Sequence, residues 1–542
     1  MMVIGIAANF GSILPSLQTS LSGDPDKAAL ALWHIWWPQF GFWKPDALAI
    51  TAYSGAPFLS NHLGYMPIFQ SMVFGLLAKT SGSPVLSLNL VLLASQIATH
   101  YMLHRFLEYK TRSTYIALFA ATAVVLSPWY SGRISASDVI SAGLWLLPAA
   151  LLLWDAWLER QGVLQAGLLG GILYVATLSG IQNMAWILAL WLPYAVWSLP
   201  QVRADPSFAD DRKLFSARDQ LALIGFAFVI LLLIYPGPNI MRSLQGGEPA
   251  YASLTSPTPE HSLVGTLLRT APIIWMLAAA KLTFSTVSRS SKPWLVLGSI
   301  CIVFALDILP EPLQMVTGAL RIPFLPLYGF ESFFGPAIVA LAVFGSLNWG
   351  AKRRTAIDKR MSWLAGTAAL LVIITLSFAA RQRDKTFQQV SASTAKFYSG
   401  ISHEPEDYLL LNFPFGLSNV QDENSLGEHA HLAQYAAWHR KRTLSGVAHY
   451  YEPAVFDSFA AMTFLFPEFD DLQEMENAAQ ALASAVNTWR IGYVVVHSEL
   501  VATDVVQSID EMADLTGALC PGIRRHNLIS YRAKWHPYGC PN

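Results

Sequence analysis

Charge is what this sequence has least of. Only 13% of its 542 residues are Asp, Glu, Lys or Arg, against about 25% in an ordinary soluble domain. That excludes one large soluble enzyme. The net charge of −1 and the high apolar content exclude a disordered chain. They also leave no polyelectrolyte surface for nucleic acid, so no nucleic-acid partner is expected. Three cysteines, Cys301, Cys520 and Cys540, are too few for a disulfide scaffold. The chain has no Gly-x-Gly-x-x-Gly after a strand, no P-loop and no Gly-x-Ser-x-Gly elbow, which argues against an ATPase or a nucleotide-sugar enzyme. What it has instead is apolar residues, 53% of the total, with a mean hydropathy of +0.39. The reading is a multi-span membrane protein.

The charges are unevenly placed. Residues 1–380 hold 23 Lys/Arg and 17 Asp/Glu, and residues 381–542 hold 12 and 19 together with 8 of the 13 histidines. Domain one is therefore 1–380, a helical membrane bundle, and domain two is 381–542, a soluble acidic α/β domain. A hydrocarbon core about 30 Å thick needs about 20 apolar residues per helix. Runs approaching that length fall at 3–17, 64–79, 84–103, 114–130, 138–157, 163–178, 182–199, 220–236, 263–282, 294–309, 333–350 and 362–380. They predict roughly 11–13 spans; upstream of residue 104 their number stays open. No basic residue precedes Lys27, so 3–17 reads as a membrane helix rather than a cleaved leader.

Lys and Arg concentrate in the loops 104–113, 200–218, 283–293 and 351–361 and are sparse at 131–137, 237–262 and 310–332. The positive-inside rule makes the first set cytoplasmic. The tail after the last span then lies outside the cytoplasm. Its expected strands are 407–413, 491–497 and 528–532, and its expected helices are 386–401, 428–438, 468–488 and 499–516.

The loop 18–63 after the first span carries Asp24 and Asp26, then Trp33, His34, Trp36, Trp37 and Trp43. Trp favours the headgroup level of a bilayer, so this stretch reads as an interfacial helix. A carboxylate there suits chemistry on a lipid-linked substrate, because a partly dry site raises its pKa toward general-base range. The plainer alternative is helix capping by Gly-Asp-Pro-Asp.

Four features resemble the bacterial GT-C fold membrane glycosyltransferases that use polyprenyl-phosphate sugars. They are Gly23-Asp24 followed by Trp33 and Trp36-Trp37; the stretch Tyr53-Ser-Gly-Ala-Pro-Phe58 leading to Met66-Pro67, Gly82 and Asn89; Ser127-Pro128-Trp-Tyr130 with Leu146-Leu147-Pro148; and, in the tail, Tyr408–Pro414, His439–Gly446 and Ile491–His497. The resemblance implies a mostly α, polytopic bundle in the bacterial inner membrane with a C-terminal extracytoplasmic α/β domain. It also implies a lipid-linked sugar donor alongside the membrane lipids, and a cofactor that is a divalent cation or none. In that family the acid of the first external loop is the presumed base, which maps onto Asp24 with Asp26 beside it. Two positions depart from the pattern. Relatives often place a His where this chain reads Gly132–Asp138, and an Arg near Phe330–Phe333. A non-catalytic GT-C-like structural or assembly subunit, with the acidic tail binding a protein partner, is the alternative.

Other candidates follow from charge in external loops. Arg133 could fork onto a donor phosphate with Asp138 orienting the acceptor, or the two could form a local ion pair. The loop 237–262, long for a bundle, carries Arg242 and ends at Glu260-His261 beside the next span. Arg269 lies inside that span, facing a polar cavity or snorkelling outward. In the tail, Glu428-His429-Ala-His431, His439 and His449 raise a metal reading, but zinc needs three or four convergent ligands and the spacing is not fixed, so no metal site is assigned. His497 ends a buried-type strand and reads as structural. Cys520 and Cys540 flank the strand 528–532 and a Pro/Gly turn, so an oxidising compartment permits a disulfide between them. Two free thiols are the alternative.

Overall fold

The fold is described from a computed structural model that covers residues 6, 10–11, 14–23, 25–37, 50–51, 60–61, 67–160, 162–203, 271–284, 290–305, 333–347, 387–419, 425–448, 451 and 453–541. The chain divides into two compact units. The first comprises residues 1–15, 67–73 and 89–385, and the second comprises 16–66, 74–88 and 386–542. The first-loop residues thus group with the tail.

The first unit is helical. Among the described residues, the helices at Pro84–Thr111 and Ser141–Arg160 are long and apolar enough to cross a membrane. A third crossing is broken: Thr114–Val125 and Pro128–Ser135 meet at 51°. The sequence predicts one straight run over 114–130, and the break has a local cause. Pro128 has no N–H for the preceding turn, and Ser127 starts a new helix by accepting the Tyr130 amide on its hydroxyl at 3.3 Å. Shorter apolar helices cover Val163–Leu178, Lys292–Ile302 and Phe334–Ser346. The expected spans 220–236 and 362–380 lie outside the described residues. The helix at 84–111 overruns the expected span and its basic loop. Nothing breaks it until Arg112, whose φ of 54° is left-handed, so Arg105 and Lys110 sit on its final turns.

Several buried polar groups in this unit find partners within it. Lys110 Nζ lies 2.6 Å from Asp155 Oδ2, and the Tyr194 hydroxyl donates to Asp155 Oδ1 at 2.8 Å. Removing one partner of such a buried pair costs about 3–5 kcal/mol, because the other charge is stranded. His100 Nε2 meets Thr122 Oγ1 at 3.1 Å, and Tyr130 OH donates to Thr99 Oγ1 at 3.0 Å.

In the second unit, twelve strands follow in chain order: β1 (Ser20–Ser22), β2 (Ile50–Thr51), β3 (Ser60–Asn61), β4 (Phe387–Gln389), β5 (Leu409–Phe413), β6 (Leu417–Asn419), β7 (Ser425–Leu426), β8 (Arg442–Thr443), β9 (Gly446–Ala448), β10 (Ile491–His497), β11 (Ile523–Arg525) and β12 (Leu528–Arg532). The main sheet runs β11-β12-β10-β5-β8. β5 is parallel to both β10 and β8, whereas β10 to β12 and β12 to β11 are antiparallel. Leu409, Leu411 and Phe413 alternate onto one face with Val494 and Val496, and pack against Leu482 and Val486 of the helix Leu472–Thr488 and Ile509 and Met512 of Thr503–Thr516. Asn412 points the other way. Its Oδ1 accepts the Tyr398 hydroxyl at 2.5 Å, and Tyr398 also bonds His497 Nε2 at 3.0 Å. Helices therefore cover both faces, as a parallel core requires.

The strands expected at 407–413, 491–497 and 528–532 match β5, β10 and β12 within two residues. The helix expected over 386–401 forms only at Ala392–Ile401, because Phe387–Gln389 pairs antiparallel with Ser20–Ser22 of the first loop. The helix expected from 468 starts at Leu472, where Asp471 Oδ1 accepts the Glu474 amide at 2.7 Å and Glu474 reaches back to the Asp470 amide at 3.1 Å. Cys520 and Cys540 form a disulfide with α-carbons 5.4 Å apart. Cys301 is a buried free cysteine.

Candidate functional site

Of the two first-loop acids, Asp26 lies in the helix Pro25–Trp36. Pro25 suits the first helical position, where its missing N–H costs nothing. Asp26 occupies the first turn, and a carboxylate there gains about 0.3–1 kcal/mol from the helix dipole. Asp24 lies outside the described residues.

Trp33, Trp36 and Trp37 follow at helical spacing. Trp33 and Trp37 stack with centroids 5.5 Å apart and planes 6° from parallel, and Trp36 tilts against both. The sequence reading puts these rings at an open membrane interface. In the structure all three are buried, each under 5% exposed, in a helix whose Ala29 and Leu30 form one apolar cluster with Ala430 and Val447 of the tail. Indole rings have ample apolar area to bury inside protein as well as at a headgroup boundary.

That packing brings the tail histidines to the first loop. His431 Nδ1 is 3.9 Å from Asp26 Oδ1, with the two side chains 14% and 28% exposed. The pair is close and partly open to solvent. His429 lies edge-on to His431, ring centroids 5.4 Å apart. Burial lowers the His429 pKa, with the nearby Glu428 charge opposing, so its imidazole is neutral and offers one donor and one acceptor nitrogen. Deeper in the same unit, burial and then Lys441 push His439 down to about 3. Burial, followed by the charges of His431 and His429, does the same for His497. These two are neutral structural groups. His497 holds Tyr398, and His439 Nδ1 accepts the Lys441 amide at 3.0 Å.

The sequence raises a metal reading for Glu428, His429, His431, His439 and His449 without assigning a site. Among the described residues no three of His, Cys, Asp or Glu converge as a metal site. What the sequence reading misses is the pairing with Asp26, which is set by tertiary packing across almost the whole chain and leaves no local pattern.

In the first unit, Arg133 and Asp138 do come together, Nη1 to Oδ2 at 3.5 Å. Asp138 has stronger partners. Its Oδ1 accepts the amides of Ile140 and Ser141, each at 3.0 Å, and its Oδ2 accepts the Ser141 hydroxyl at 2.6 Å. Asn183 braces the same turn by donating to the Ile140 carbonyl at 3.1 Å. Gly143 makes this approach possible, since a Cβ there would lie 2.4 Å from Asn183 Oδ1. The Asp138 carboxylate thus caps the turn that leads into the helix Leu146–Arg160. Arg242, Glu260, His261 and Arg269 lie outside the described residues.

Comparison with known proteins gives a likeness of fold. No protein-family model matches the chain, and none of the curated proteins matches it in sequence. Two structures of a variant of the arabinofuranosyltransferase AftD from mycobacteria align with TM-scores of 0.52 and 0.51 at 15% and 14% identity, over 100% and 98% of this chain. The chain spans only 41% of AftD in both. ArnT from Cupriavidus metallidurans aligns with a TM-score of 0.47 at 13% identity, over 100% of this chain and 99% of that one. The resemblance to GT-C membrane glycosyltransferases expected from the sequence is therefore present at the level of the fold.

Proposed function

We propose that the protein is an integral membrane glycosyltransferase that moves a sugar from a polyprenyl-phosphate donor to an extracytoplasmic acceptor. The observation that carries this reading is the first-loop acid Asp26, set at a helix N-terminus and facing His431 at 3.9 Å, in a fold shared with AftD. Asp24 or Asp26 takes the proton from the acceptor hydroxyl as it attacks the anomeric carbon. The bond from that carbon to the phosphate oxygen breaks, and the phosphate leaves with the bonding pair. His431 receives the proton from the carboxylic acid and returns the base to its charged form. Arg133, Arg242 or Arg269 is the proposed partner of the departing phosphate. The tail lies on the extracytoplasmic side of a bacterial inner membrane, where its acidic surface is available to a protein partner.

The test is transfer of radiolabelled sugar from a polyprenyl-phosphate donor by membranes carrying wild type, Asp24→Asn or Asp26→Asn. Loss of transfer in either variant, with protein level and tail folding intact, supports the reading. Full activity in both, or no transfer by wild type to any acceptor in the native envelope, favours the non-catalytic subunit. Orientation is checked separately. Protease added to spheroplasts should clip the tail and spare the loops 200–218 and 351–361.

A further inference from the structure

The main sheet of the tail has a topological switch point. The chain runs from β5 to β8 on one side and then to β10 on the other, so the spatial order is β8-β5-β10 with all three strands parallel. Connections leave the carboxyl ends of β5 and β10 in opposite directions, and a crevice opens between them, which is where open α/β sheets hold ligands. The structure has a cleft of about 300 Å³ at that place. It is lined by Phe413, Pro414 and Phe415 at the end of β5 and by Leu500–Ala502 after β10. Of the candidate side chains read from the sequence, only Glu428 and His429 line it, and the sequence raises them only for a metal.

Its chemistry is selective. Phe415, Phe466, Val501 and Val505 supply apolar walls, and Phe466 remains 36% exposed at the rim, a ring face open to stacking. The polar groups are Glu428, Glu468 and His429. His429 contributes an edge of its ring to the lining. The helix Thr503–Thr516 begins at the cleft, and its N-cap, Ala502, provides no side-chain cap. Among the described residues no Lys or Arg lines the cleft. A phosphate or carboxylate would face the two carboxylates Glu428 and Glu468. A cation would face the positive end of the helix. A neutral polyhydroxylated ring satisfies both ends: its hydroxyls donate to the glutamates, its oxygens accept from the amides of the helix N-terminus, and its C–H face lies on the aromatic and aliphatic wall. The volume suits one or two sugar rings.

We propose that this cleft binds a neutral sugar unit of the acceptor glycan, an inference that rests on the glycosyltransferase reading for the identity of the acceptor. The test uses the full chain in detergent and saturation-transfer-difference NMR with three probes, mannobiose, galactobiose and arabinobiose; inorganic phosphate and choline are tested as competitors. At least one disaccharide should bind saturably in the millimolar range, and neither competitor should displace it. Glu468→Gln, an exposed isosteric change, and Val505→Trp, which fills the cleft, should each lower the signal at least fivefold. Hydrogen exchange over 472–488 checks that the tail stays folded. No signal from any of the three disaccharides overturns the proposal. So does a signal that both variants leave unchanged, or displacement by phosphate or choline. Asp26→Asn separates the two readings: transfer lost with disaccharide binding retained supports both, transfer unchanged with binding retained removes the acid's role and leaves the cleft, and transfer without binding by wild type removes the cleft alone.

Discussion

Asp26 and Asp138 both sit at the start of a helical turn. Asp138 gives its oxygens to two amides and a hydroxyl within three residues of itself. Asp26 faces an imidazole from a segment some four hundred residues later in the chain. A carboxylate held by its own turn acts as a structural cap. One that meets an imidazole from a distant segment owes that partner to tertiary packing. The two acids look alike in the sequence, and the partners the fold gives them set them apart.

Four experiments break or sharpen that contrast. The largest effect is expected at the first loop. Asp24→Asn or Asp26→Asn should lower transfer about 10²–10⁴-fold, the range of general-base removal. The Asp26 change should barely alter stability, because a partly exposed ion pair is worth at most about 1 kcal/mol. A loss of folded protein in step with activity would assign Asp26 to the Asp138 class.

Acid should next divide the two regions. His439 and His497 sit at about 3 in the folded tail, against about 6.5 in an unfolded chain. Between those values only the unfolded state binds the protons, so the tail's stability is full above pH 6.5 and falls as the pH drops toward 3. The slope is about 1.4 kcal/mol per pH unit for each histidine. Hydrogen exchange should show β5 and β10 loosening below pH 6 while the Arg133–Asp138 turn holds. Equal loosening of both would contradict the contrast.

Asp138→Ala should behave in the opposite way to Asp26→Asn. It removes a cap worth about 0.5–2 kcal/mol, read as a lower thermal midpoint and as transfer that falls only in proportion to folded protein. The smallest expected effect is at the imidazole. His431→Gln keeps a polar group beside Asp26 but cannot take up a proton, so transfer should fall about fivefold to tenfold, less than the roughly 10²–10⁴-fold expected for the base itself, and its acidic limb should shift. An unchanged pH profile would make His431 a spacer.

Much of this architecture was legible before any coordinates. The low charge and long apolar runs pointed to membrane helices. In the tail, Tyr408–Phe413 and Ile491–His497 are mostly apolar strings of strand length, and they form the parallel pair at the centre of the sheet. Local chemistry that competes with the average pattern was less visible. The run 114–130 is apolar throughout, so hydropathy alone does not reveal that Ser127-Pro128 bends it. Thr386–Val390 looks like the start of a helix until its partner strand, Ser20–Ser22, is known. The candidate site lies at the far end of that scale. Asp26 is visible as an acid in a loop, but His431 becomes its partner only once the Ala29–Leu30 face is packed on Ala430 and Val447.

The pairing of β1 with β4 also has a consequence in time. Ser20–Ser22 is made before the helical region that separates it from its partner strand, and Phe387–Gln389 after it. At ribosomal rates of about 5–20 residues per second, the first loop waits on the order of tens of seconds with its strand edge unpaired and Asp26 without His431. Over that interval the nascent chain holds the first loop without its partner strand, and Asp26 acquires His431 only when the tail folds. Arrival of the tail therefore doubles as a completion check on the first loop.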